Sequence, residues 1–210
     1  LGVEKLLALM KASDLSFGDI RASLEAIRAS GPAVHVIGDT IVDTITRTSM
    51  LGAQGKTPTI SVLYDTKEDY VGGAGIVAKH MRAAGAQVTF STVLGDDALK
   101  DFVLEDLAEA GVKVDATIDA TRPTTNKNAI VANDYRLLKI DTLDNRSIDD
   151  RTVESMAESI GRSTADILVF SDFRHGIFNS RTIPSLIGAI PPHAFKVADS
   201  QIASRWGNIT

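Results

Sequence analysis

Along residues 3–12 (VEKLLALMKA) and 16–29 (SFGDIRASLEAIRA) apolar side chains recur at helical spacing, with Leu6, Leu7 and Met10 on one stripe and Ile20, Leu24 and Ile27 on the next. Ser16 stands where a helix N-cap would. Two helices are therefore expected before Gly31-Pro32, which breaks the pattern. Val34-His35-Val36-Ile37 is then a short β-branched run closing on Gly38-Asp39, the pattern of a first strand.

Strand and helix alternate from there. Thr59–Leu63 (TISVL) alternates as a half-exposed strand, and Gly75 to Ala84 places Val77, Met81 and Ala84 on one helical face, ended by Gly85. Val88–Val93 reads as strand. Asp96 or Asp97 caps a helix lined by Leu99, Val103 and Leu107 and closed by Gly111, after which Val112–Ile118 resumes as strand. NAIVAN and YRLLKID are strand-like pieces joined at Asn133-Asp134, a hairpin turn signal. Asp149 to Gly161 returns to helix, Asp166–Phe170 (DILVF) is a buried-type strand, Ser180–Ala189 is helical despite Pro184, and Phe195–Ala198 is a last strand before Asp199. Such βαβ alternation predicts an α/β fold, a mainly parallel sheet with helices on both faces. Ligands of such folds sit beyond the carboxyl ends of strands.

Composition narrows the function classes. With 210 residues, 44% of them apolar, the chain can build one sizeable core. Its net charge of −5 arises from 27 acids and 22 bases scattered without a basic run, so no nucleic-acid partner is expected. There is no cysteine, and the four histidines lack the paired spacing of a zinc site, so no metal site is expected and a reducing, cytoplasmic setting fits. No apolar run approaches the ~18 residues of a membrane span, and the amino terminus lacks a leader pattern, so no membrane partner is expected.

Candidate chemistry lies at strand ends. Gly73-Ala74-Gly75-Ile76-Val77-Ala78 fits GxGxxA, a relaxed dinucleotide fingerprint. That reading needs a buried strand directly before the first glycine, and Lys67-Glu68-Asp69-Tyr70 cannot supply one. A run of small residues opening a helix still lets a polar ligand approach the backbone closely. Asp39 and Asp43 follow the first strand, where a carboxylate can accept hydrogen bonds from vicinal sugar hydroxyls; each could equally cap a turn or face solvent. Asp172 and Asp199 occupy similar strand ends, suited to orienting a phosphate, to holding magnesium through water, or to an Asx turn. Lys127, in Thr124-Thr125-Asn126-Lys127, could meet a substrate phosphate, although most lone strand lysines are solvated.

Taken together, these segments resemble the ribokinase-like (PfkB-type) carbohydrate kinases, most closely the heptose-phosphate kinase half of bifunctional ADP-heptose synthases. The likeness is carried by VIGDTIVD at 36–43, GGAGIVAKHMRAAGAQV at 72–88, VLGDD at 93–97, RPTTNK at 122–127 with LLKID at 137–141, and LVFSDFRHG at 168–176. It implies a ribokinase-like three-layer core with a small β lid made from segments about 46–65 and 121–141. Residues 32–210 would be the amino-terminal part of the kinase domain. Residues 1–31 would be a helical preamble or the tail of a preceding domain, such as a nucleotidyltransferase. The resemblance further implies ATP and Mg2+ as cofactors, a sugar or sugar phosphate as substrate, and a homodimer joined through the lid. Carried over by position, Asp43 would bind sugar hydroxyls and Gly72-Gly73 would admit the sugar to the backbone. Lys127 would meet the substrate's phosphate, and Asp172 and Asp199 would face the junction between sugar and nucleotide.

The chain departs from the family pattern at three positions and in one segment. Ile76 stands where the family usually has asparagine, Ala129 where arginine is expected, and His175 where a basic residue is expected. The family's GxGD segment, with its base aspartate and most of the adenine site, is expected beyond Thr210. A non-catalytic sugar-binding or dimerisation module of the same fold is the alternative expectation.

Overall fold

The computed structural model describes residues 2–52 and 59–200. Two helices come first, α1 (Gly2–Ala12) and α2 (Phe17–Ser30). Ser16 caps α2 in a reciprocal capping box with Asp19, and Gly31 ends it in the left-handed conformation. Both helices form from local signals, yet they bury little: only Met10 of α1 and nothing of α2 is buried.

The core follows. It comprises β1 (Ala33–Gly38), β4 (Gln87–Leu94), β5 (Lys113–Ile118), β8 (Ile167–Asp172) and β9 (Phe195–Ser200), with α3 (Ala74–Ala83), α4 (Ala98–Glu109), α5 (Asp150–Gly161) and α6 (Thr182–Gly188). The five strands form a parallel sheet in the order β5-β4-β1-β8-β9. Alternation along β1 sends Val34 and Val36 to one face and Ile37 to the other. On the first face Val88 and Phe90 join them against Ala78 of α3 and Val103 and Leu107 of α4. On the second, Leu168 and Phe170 pack with Met156 and Ile160 of α5 and Leu186 of α6. Helices thus cover both faces of the sheet, and the expected three layers are present. Pro184 sits in the first turn of α6, where its missing N–H breaks no helical bond.

A second sheet stands apart from the first, in the order β3-β2-β6-β7, built from β2 (Thr40–Met50), β3 (Val62–Gly73), β6 (Asn126–Ala132) and β7 (Tyr135–Thr142). Asn133 and Asp134 turn the β6–β7 hairpin with φ of 46° and 47°, as a type I′ turn requires. The expected strand at Thr59–Leu63 needs correction: β3 begins at Val62 and continues through the polar residues to Gly73. Its alternation is invisible because both faces stay largely exposed until Val71. Part of the first expected lid segment, residues 53–58, lies outside the described residues.

Phe170 is fully buried and meets Phe178 edge to face, with ring centroids 5.9 Å apart. Phe170→Ala is expected to lower unfolding stability by about 3–5 kcal/mol, read from urea denaturation midpoints at unchanged m-value.

Candidate functional site

β1 ends at Gly38, and the chain passes through Asp39 into β2, so a single residue separates a strand of one sheet from a strand of the other. Asp39 is only 2% exposed. Its Oδ2 accepts a hydrogen bond from the Phe173 amide at 2.9 Å and its Oδ1 a longer one from the Ile177 amide at 3.4 Å. Its main-chain carbonyl accepts from the Ala74 amide at 2.9 Å. One residue therefore ties together the end of β1, the start of α3 and the loop after β8. Burial pushes its carboxyl up to about 6, with the neighbouring Asp172 charge adding to the rise and loop amides opposing it.

The turn that returns β3 to the core is built on Gly72 and Gly73. Gly73 has φ 58° and ψ −138°, a conformation open to glycine alone, and a Cβ there would strike the Asp39 carbonyl and Ile41. A Cβ on Gly72 would fall onto the Asp43 carboxylate. Asp43 thus leans across bare backbone, with its side chain exposed.

Register places the remaining groups. Asp43 pairs with Tyr70 on β3 and with Lys127 on β6, and Lys127 pairs with Asp141 on β7. Residues opposite one another across a sheet share a face, so Tyr70, Asp43, Lys127 and Asp141 form one row. His175, in the loop held by Asp39, lies near that face: the Lys127 charge helps burial hold its imidazole down at about 4. His175 Nδ1 donates to Asn145 Oδ1 at 2.7 Å, and its buried Nε2 finds no partner among the described residues. A cavity of about 10 Å3, room for about one water, is lined by Asp39, Thr40, Arg122, Asp144 and His175 among others.

Residues 32–180 match the family described as pfkB family carbohydrate kinase. The chain belongs to this family. Curated relatives include a D-beta-D-heptose 7-phosphate kinase from Bordetella bronchiseptica, 29% identical over 174 residues, covering 82% of this chain and 54% of that protein. Another is a bifunctional protein HldE from Pelobacter propionicus, 29% identical over 182 residues, covering 84% of this chain and 37% of that protein. The chain thus spans between about a third and about a half of the length of these relatives. Among solved structures, phosphofructokinase-2 from Escherichia coli in complex with fructose-6-phosphate aligns with a TM-score of 0.63 at 16% identity, covering 82% of this chain and 56% of that one. A carbohydrate kinase from Agrobacterium tumefaciens aligns with a TM-score of 0.60 at 19% identity, covering 80% and 53%. The fold is therefore that of the ribokinase-like carbohydrate kinases. The family match begins at residue 32, so α1 and α2 lie outside it.

Within this PfkB chain, the residues singled out from sequence divide into three groups. Asp43, Gly72, Gly73 and Lys127 come together where β2, β3 and β6 leave the core. Asp39 lies beneath them with its carboxylate engaged by main-chain amides, so of the two roles read from sequence it fills the one of capping a turn and not that of gripping hydroxyls. Asp172 and Asp199 do not converge: Ser171 pairs with Asp199 and Asp172 with Ser200, which puts the two carboxylates on opposite faces of the parallel sheet. Asp172 instead accepts from the Arg174 amide at 2.9 Å and the Ser200 hydroxyl at 2.7 Å. Asp141 and Asn145 were missed, because only cross-strand register and a long-range loop contact reveal them.

Asp39 has a raised carboxyl when folded, so between about pH 4 and pH 6 the folded state binds more protons than the unfolded one. Its contribution to stability is present at low pH and is lost as pH rises through about 6. Relative to Asp39→Asn, the unmutated protein should therefore lose on the order of 3 kcal/mol of stability across that window and change little above it. Urea titrations of both proteins at stepped pH measure this, and a pH-independent difference contradicts it.

Proposed function

We propose that the chain supplies the sugar-binding and lid part of an ATP-dependent kinase that phosphorylates a hydroxyl of a sugar phosphate. The carrying observation is the row Asp43–Lys127 beside the bare backbone of Gly72 and Gly73. An exposed carboxylate accepts from vicinal hydroxyls, glycine backbone lets the ring approach, and a lysine on the next strand, about 5 Å away at the backbone, brings an ammonium to neutralise a phosphate. A substrate with hydroxyls at one end and a phosphate at the other matches that order. The relative named D-beta-D-heptose 7-phosphate kinase supports this class of substrate. The side chains here act by positioning, holding the acceptor hydroxyl in reach of the donor phosphoryl group.

ATP would supply the phosphoryl group, and none of the roles above is that of the base that takes the hydroxyl proton. Among the described residues no group of three or more His, Asp or Glu side chains is arranged to hold a metal ion. Mg2+ accordingly has no ligand assigned to it here, and the roles above rest on the side chains alone. No described helix is long and apolar enough to cross a membrane. A homodimer through the lid is part of the proposal, supported by Leu138 and Ile140, which are half exposed on β7.

Ile76, in the first turn of α3, brings no hydrogen-bonding group to the sugar side. That favours a sugar bound through Asp43 and backbone, and it also suits a sugar-binding module without turnover. ADP release by the full-length protein with D-beta-D-heptose 7-phosphate separates the two: binding by calorimetry with no ADP release overturns the kinase reading. Lys127→Ala is expected to raise KM for the sugar phosphate by about tenfold or more, the loss of one charge-assisted contact, with little effect on an unphosphorylated sugar. Asp43→Asn is expected to weaken both alike, and equal effects of the two variants on both sugars would refute the division of roles.

A further inference from the structure

The second sheet leaves the core by more than one root. Asp39 holds the start of β2, but β6, which carries Lys127, starts from the segment 119–125 that follows β5. That segment lies flush against the end of β4. A Cβ on Gly95 would strike the backbone of Arg122, Pro123 and Thr124, and the Gly95 amide donates to Thr124 Oγ1 at 3.0 Å.

Asp97 has two duties at this point. Its Oδ1 accepts from the Lys100 amide at 3.1 Å, which caps α4, and its Oδ2 accepts from the Thr124 amide at 2.8 Å. A cap needs only the first of these: Asp149 caps α5 with one oxygen, 2.8 Å from the Thr152 amide. Burial works against the charge on Asp97, but hydrogen bonds from the amide and hydroxyl of Thr124 and from the Lys100 amide hold its carboxyl below the ordinary carboxylate value. The bond to Thr124 is therefore charge-assisted at neutral pH.

Thr124 is buried, so its amide has no bulk water to turn to. Without the second oxygen of Asp97 that N–H is left unpaired, and the segment has to shift to satisfy it. The shift passes directly into β6. The Thr125 carbonyl accepts from the Val42 amide at 2.8 Å, and Asn126 Nδ2 donates to the Val42 carbonyl at 3.0 Å and to Thr44 Oγ1 at 2.6 Å. These bonds seat β6 on β2 just where the row Asp43–Lys127 begins.

We propose that Asp97 is a positioning residue for the phosphate end of the substrate: it pins the entry of β6 and so sets Lys127 in its place beside Asp43. What Lys127 binds rests on the kinase reading above. Two aspartates then share the lid, Asp39 at the root of β2 and Asp97 at the root of β6.

Asp97→Ser tests this, because a serine hydroxyl still caps α4 but supplies no second oxygen for Thr124. In the full-length protein it should raise KM for D-beta-D-heptose 7-phosphate about tenfold, with kcat and the KM for the unphosphorylated heptose little changed. Asp149→Ser, the same exchange at the cap of α5, should leave both KM values as they are. Combined with Lys127→Ala, Asp97→Ser should add nothing further, since the residue it positions is gone. Amide resonances of the 15N-labelled protein give a readout independent of turnover: those of Thr124 and Lys127 should shift in Asp97→Ser and stay in place in Asp149→Ser. An equal rise in KM for both sugars, a rise that persists in the Lys127→Ala background, or an unmoved Lys127 amide overturns the proposal. If Lys127→Ala by itself leaves both KM values unchanged, it is the kinase reading that fails, and the Lys127 amide then decides whether Asp97 positions β6.

Discussion

A buried carboxylate that meets no bulk water must find donors in the protein, and Asp39 finds them in the main chain. Its two oxygens reach amides 134 and 138 residues further along, and its carbonyl holds the first amide of α3. The consequence is geometric. The carboxyl end of β1, the glycine turn and the loop after β8 cannot move independently, and the lid strands β2 and β3 spring from that joint. A side chain two turns of strand away, Asp43, is positioned only because this joint is rigid.

The lid depends on the joint in a second way. β3 comes home antiparallel to β2 over twelve residues, one of which, Gly73, has a conformation no other residue tolerates well. Close approach of Gly73 to the Asp39 carbonyl lets β3 run straight into α3. On the proposed reading, the same lack of side chains that allows this packing leaves room for a sugar ring at Gly72, so the packing requirement and the binding requirement fall on neighbouring residues.

Much of the core was legible because its signals are local. Periodicity and caps located α2, α4 and α5, with Ser16, Asp97 and Asp149 each accepting from the amide three residues on. The β3 ribbon was less legible, since a strand exposed on both faces carries no alternation and its polar run resembles a loop. The site divides along the same line. Asp43, Gly72 and Gly73 belong to one short-range motif, whereas the burial of Asp39 depends on a loop more than a hundred residues away. Asp172 and Asp199 looked alike in sequence because each ends a strand; only the register Ser171↔Asp199 reveals that they face opposite ways.

Lys127 illustrates why register decides chemistry. Alone on a strand, its ammonium would be a solvated charge, but here it is flanked by Asp43 on one side and Asp141 on the other. Asp141 forms its ion pair with Lys139, at 3.3 Å, and Lys127 forms none among the described residues, so its ammonium is left for an arriving phosphate. A neutral sugar hydroxyl meets Asp43 instead, whose exposed carboxylate is open to accept. On the proposed reading, the row therefore sorts a ligand by charge, hydroxyls to Asp43 and phosphate to Lys127, and a ligand that supplies both at the right separation gains from contacts at both ends.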